Sequence, residues 1–184
     1  MNKLFCRSFL SIYHLLPKLV KSIDKLILIR GVNSSVYTVN SGVNLENEVN
    51  KIINLTQRKI NLINVKVLID EVLVELKPKY SKLIITKYID LVETKKAIEL
   101  SNLNRRTYYR LLNKAIEEFE RLLSNKIVNN KKLYNCFYEE TLFNEILNKL
   151  CSLQQKTCSS ESFEIKNLSN SICNFIVSKL NTAV

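Results

Sequence analysis

The chain has 184 residues, 46% of them apolar and 24% charged, with a formal net charge of +11. That length and balance exclude a disordered chain and allow an ordinary buried core. With two glycines and two prolines, the chain lacks the residues that tight turns and sheets consume. An all-α fold with long helices and few connections is therefore expected.

The charge is unevenly spread. Residues 1–30 carry six positive and one negative charge, and residues 77–121 carry eleven against six; the segments 31–76 and 122–184 are near balance, at four against five and seven against five. Such an excess points to polyanions as partners: a nucleic acid or an anionic membrane surface.

In chain order, residues 1–30 place Leu4, Phe5, Phe9, Ile12, Leu15 and Leu16 at helical spacing. Pro17 marks a kink or a new start before Leu19, Val20, Ile23, Leu26 and Ile27. These are amphipathic helices that need a partner: the rest of the chain first, then a second subunit, then a membrane surface. Between Arg7 and Lys18 lie ten uncharged residues, against roughly 20 for a membrane span, so no transmembrane segment is expected here. Gly31 and Gly42 bracket a small polar stretch, "GVNSSVYTVNSG", which reads as a linker over residues 31–43 in which "VYTV" could form a short strand.

A long helix is expected over residues 44–76, with Asn44 as N-cap and Glu46 and Glu48 in the first turn. Its stripe of Leu45, Val49, Ile52, Thr56, Ile60, Ile63 and Val67 recurs every three or four residues. It reads as a packing spine or as half of a coiled coil, and the spine is the preferred reading. Lys77-Pro78 ends it.

Residues 77–123 form the next unit, with three helices: Lys79 to Tyr88, Glu93 to Ser101, and Arg105 to about Leu123, the last capped by Asn104. A short helix, a tight turn and a longer basic helix make a helix-turn-helix. On the third helix Tyr108, Leu111, Leu112, Ala115, Phe119 and Leu122 share the face expected in the core. Arg105, Arg106, Tyr109, Arg110 and Asn113 fall on the other side. Arginine can bond guanine bidentately, whereas Thr107 and the Tyr109 hydroxyl suit phosphate oxygens. Lys95, Lys96 and Lys114 add phosphate neutralisation. The nine candidate DNA contacts are thus Arg105, Arg106, Thr107, Tyr109, Arg110, Asn113, Lys114, Lys95 and Lys96. Over residues 124–184, Leu142, Phe143, Ile146, Leu147 and Leu150 line one further amphipathic helix, and Leu168, Ile172, Phe175, Ile176 and Leu180 another. Together they form a C-terminal helical pair.

No catalytic constellation, cofactor or metal site is expected. The five cysteines (Cys6, Cys136, Cys151, Cys158 and Cys173) include no CxxC pair, and the single histidine, His14, lies far from four of them. They read as reduced thiols of a cytoplasmic protein. A glycine-rich phosphate loop has too little glycine to form.

The segment "LKPKYSKLIITKYIDLVETKKAIELSNLNRRTYYRLLNKAIEEF" resembles region 4 of bacterial RNA polymerase sigma factors. It is more similar still to the small sigma-region-4-like regulators of phages and low-GC bacteria, the ArpU-type late-transcription regulators. The resemblance implies that "NRRTYYRLLNKAIEEF" is the recognition helix and that Arg105, Arg106 and Tyr109 read bases, with Arg110 and Lys114 nearby. It implies a transcription regulator acting at the nucleoid on double-stranded DNA, with RNA polymerase as a second candidate partner and a homodimer as a candidate assembly. Two departures stand out: Ile98 occupies a position usually small, unless the register shifts by one to Ala97, and Asn102 replaces the turn glycine. Residues 1–76 contain no tryptophan and no aromatic cluster of the sort that melts a promoter. Two other readings stay open: a helical protein whose basic face grips an acidic protein surface, and a basic membrane-surface protein anchored by residues 1–30.

Overall fold

A computed structural model describes residues 3–37 and 45–129 of the chain, and the single position 148. The C-terminal helical pair expected over residues 124–184, and four of the five cysteines, therefore lie outside the described residues, apart from the start of that stretch. What is described is helical, with no strand among the described residues: α1 (Lys3–Ile12), α2 (Leu16–Tyr37), α3 (Leu45–Glu75), α4 (Pro78–Ile84), α5 (Thr94–Ser101) and α6 (Arg105–Asn129).

Helices α1 and α2 are joined by a single 3-10 turn, Tyr13–Leu15. Pro17 sits in the first turn of α2, where a missing N–H costs no intrahelical bond. The apolar side of this N-terminal pair is spent inside the molecule: Cys6, Phe9, Leu10, Ile12, Leu15, Leu16, Leu19 and Ile23 are all buried. These residues pack against the rest of the chain, whereas Leu28, Ile29 and Val32 further along α2 are exposed. Among the described residues no helix is long and apolar enough to cross one.

The linker expected from Gly31 does not start there, and residues 38–43 of that expectation lie outside the described residues. Helix α2 runs through Gly31 to Tyr37, so "GVNSSVY" is helical and "VYTV" does not start as a strand. Three cross-links fix α2 and the preceding turn along α3 in antiparallel register: Arg30 Nη1 to Glu48 Oε2 at 3.0 Å, Lys59 Nζ to Asp24 Oδ1 at 2.6 Å, and the Tyr13 hydroxyl donating to Asp70 Oδ1 at 2.6 Å. Lys66 bonds the other oxygen of Asp70 at 2.8 Å and lies 5.1 Å from the Tyr13 ring centroid. The Glu48 carboxyl is held below its ordinary range by Lys51 and then by Arg30.

Helix α3 is the spine the sequence suggests, but it packs with a different face. Leu62, Val65, Leu68, Ile69, Val72 and Leu73 are buried, whereas Leu45, Val49, Thr56, Ile60, Ile63 and Val67 of the periodic stripe are exposed. The physical reason is that α3 has two apolar faces, and the N-terminal pair and α6 use the one that repeats less regularly. At its C-terminal end, Lys126 of α6 reaches Glu75 at 2.6 Å and Glu71 at 3.2 Å. Pro78 then opens α4 at its first turn.

Helix α4 continues into a wide π-helical turn, Ile85–Ile89, closed by the Asp90 N–H bonding the Ile85 carbonyl at 2.9 Å. Leu91 follows with φ of 52°, a left-handed conformation that costs a non-glycine residue roughly 1–2 kcal/mol. The widened turn lets Lys87 lie buried at 2% exposure, where its ammonium donates to Thr94 Oγ1 at 2.7 Å. A lysine thereby ties the end of α4 to the start of α5.

Candidate nucleic-acid interface

Helix α5, residues 102–104 and helix α6 form the short helix, turn and long helix expected over this segment. The turn is set by Asn102, whose φ and ψ of 51° and 37° place it in the left-handed region. Asparagine tolerates this conformation better than other non-glycine residues, because its short polar side chain can bond locally. The Asn102 N–H bonds the Glu99 carbonyl at 3.1 Å, and the Leu103 N–H reaches Ile98 at 3.5 Å. These bonds satisfy carbonyls that the end of α5 would leave unpaired. Asn104 then caps α6: its Oδ1 accepts from the Thr107 backbone N–H at 2.8 Å. Ala97 is the small buried contact between the helices, and Ile98 is only half-buried, so the bulky side chain does not wedge them apart.

Tyr108, Leu112, Ala115, Ile116, Phe119 and Leu123 anchor α6 in the core. The ring of Tyr109 stands edge-on to that of Tyr108, with centroids 5.7 Å apart and planes at 80°. Tyr109 is therefore half-buried, an aromatic with one edge outward. Leu111 and Leu122 are half-buried at the margin of the core.

Of the nine residues expected to contact DNA, Arg105, Arg106, Arg110, Asn113 and Lys114 on α6 and Lys95 and Lys96 on α5 are exposed, while Thr107 and Tyr109 are half-buried. At about 100° per residue, Arg106, Arg110 and Asn113 lie along one strip with Lys114 on its flank. Arg105 points to a different side of the helix, beside Tyr109. The set is thus two adjoining groups rather than one surface. None of Arg105, Arg106, Arg110 and Lys114 is held in an ion pair with a described residue. The basic strip stops after two and a half turns or so, at Glu117 and the Glu118–Arg121 pair, whose oxygens and nitrogens meet at 2.7 Å.

One residue was not legible in the sequence. Arg7 of α1 donates through Nη2 to Asn113 Oδ1 at 2.8 Å. The two are 106 positions apart, so no local spacing signals the pairing. It adds a cation beside the strip and ties the Asn113 side chain of α6 to α1. Cys6, next to Arg7 in the sequence, is buried; loss of hydration, reinforced by Glu120, pushes its thiol up to about 12. Among the described residues no group of three His, Cys, Asp or Glu side chains is placed to hold a metal ion.

No family model matches the chain, and neither a curated protein nor a solved structure matches it significantly.

Proposed function

We propose that the chain is a sequence-specific binder of double-stranded DNA that regulates transcription, reading the major groove with the N-terminal half of α6. The observation that carries this reading is the exposed strip of Arg106, Arg110 and Asn113, flanked by Lys114, on a helix whose opposite face is rigidly buried. A cationic side chain with no carboxylate partner among the described residues gains most from a phosphate or a guanine edge. Lys95 and Lys96, at the start of α5, suit phosphates on either side of the groove. Tyr109 and Thr107 carry hydroxyls suited to DNA backbone oxygens, contacts that fix register. Binding to RNA polymerase rests on the sigma-region-4 resemblance alone.

The test is selection from a pool of random duplexes by the full chain. Enrichment of a shared motif, abolished in the Arg106→Ala/Arg110→Ala double variant while helix content is retained, supports the reading. Uniform weak retention of all duplexes, unchanged in that variant, contradicts it and turns attention to an acidic protein surface as the ligand of the same strip.

A further inference from the structure

A cavity of about 310 Å³ lies between α4 and the turn that joins α5 to α6. That volume is at the low end for pockets that hold small molecules, which begin at roughly 300 Å³. Helices α4 and α5 both rest on α6, and the fully buried Tyr108 closes the space on that side. Ala97, the buried residue of α5 that lines the cavity, is too small to fill it. The two walls differ in chemistry. On α4 and the wide turn that continues it, Lys79, Lys82, Leu83 and Thr86 line the cavity, at intervals that put them on one face. The wall contributed by α5 and the following turn is apolar where Ala97, Leu100 and Leu103 form it. Its hydroxyl, on Ser101, already donates to the Ile98 carbonyl at 2.8 Å. No aspartate or glutamate lines the cavity, and neither lysine is in an ion pair with a described residue.

We propose that this cavity binds a small amphipathic anion, a carboxylate carried on a short apolar tail. The carboxylate lies at Lys79, Lys82 and Thr86, where two ammonium groups and a hydroxyl supply charge-assisted hydrogen bonds. The tail lies against Leu83, Leu100 and Leu103. There it covers apolar surface that the fold leaves wet, Leu100 being 65% exposed. Each wall rejects a different competitor. Inorganic phosphate pairs with the lysines but gains nothing from the leucines. A neutral apolar molecule leaves the lysine donors unused, and an apolar cation is repelled by them. The volume also argues against a macromolecular occupant: a partner's helix, about 10 Å across, needs a groove rather than a recess of this size. The inference stands without any DNA binding.

The test is calorimetric titration of the full chain with octanoate, and with octanol and octylammonium as its neutral and cationic counterparts. Octanoate is expected to bind saturably at one site, about tenfold more tightly than octanol, with octylammonium weaker still. Lys79→Gln/Lys82→Gln is expected to lose that preference, and Lys79→Arg/Lys82→Arg to keep it. Both lysines are exposed, so circular dichroism should show unchanged helix content in either variant. A reporter fixes the place, because the chain contains no tryptophan. The emission of Leu100→Trp, at the cavity, is expected to change over the same octanoate range, and that of Val49→Trp, on the exposed stripe of α3, to stay constant. Absence of saturable octanoate binding overturns the proposal, as does equal binding of the three probes or binding indifferent to loss of the two lysines. A responsive Val49→Trp beside a silent Leu100→Trp overturns it as well, since octanoate would then be coating exposed apolar surface.

Discussion

Asn102 and Asn104, two residues apart, carry the geometry of the turn between α5 and α6. Asn102 occupies a left-handed conformation, so Asn102→Ala is expected to destabilise the fold by about 1 kcal/mol, whereas Asn102→Gly is neutral or stabilising by up to ~1 kcal/mol. Removing the cap with Asn104→Ala is expected to cost about 1 kcal/mol, and Asn104→Asp to restore most of it. Denaturant midpoints at constant slope measure all four variants. The sequence showed both asparagines for what they are, because turn and cap chemistry is local. It could not show Arg7 bonding Asn113, which depends on how α1 lies across α6. His14 is another residue whose behaviour comes from tertiary burial. Loss of hydration, aided by Lys18, lowers its pKa from the ordinary 6.5. A lowered folded value means that stability is full above pH 6.5 and is lost as protonation of the unfolded chain begins below it. Between that point and the onset of carboxylate titration, the melting temperature of wild type should fall with pH, and that of His14→Gln should stay level. Parallel slopes for the two proteins would remove His14 as the cause.

At the scale of elements, the N-terminal helices belong mechanically to the unit that carries α6. Phe9 is fully buried, and α1 touches α6 through Arg7 and the packing around Cys6. Phe9→Ala is therefore expected to cost about 3–5 kcal/mol and to lower the melting of α6 with it, in one cooperative transition. Two separate transitions, with α6 unaffected, would show that α1 is a detachable appendage. Helix α3 shows where periodicity misleads. Its most regular apolar stripe, Val49 to Val67, invites assignment to the core, yet the core is built from Leu62, Val65, Ile69 and Val72 on the other side. A hydrophobic pattern reports that a face is apolar, not what covers it, and a helix with two such faces offers two answers. Gly31 misleads in the opposite way. Glycine signals a boundary only where the chain needs its freedom; here helix α2 accommodates it and continues to Tyr37.

For the whole molecule, the all-α class followed from the scarcity of glycine and proline, and the order of the described helices from their caps and stripes. What composition could not decide was where the surplus positive charge would be neutralised. Part of it is consumed internally, in Arg30–Glu48, Lys59–Asp24 and Lys126–Glu75. Part of it, on α6, has no carboxylate partner among the described residues, and that remainder is the basis of the proposed function. The most direct measurement is therefore the salt dependence of affinity for a selected duplex, compared between wild type and the Arg106→Ala/Arg110→Ala variant. The account predicts a steep linear fall of log affinity with log salt for wild type. It also predicts a slope smaller by about 1 for each phosphate that the variant no longer neutralises, and no remaining preference for the selected sequence. Identical slopes and identical selectivity in the two proteins would contradict it.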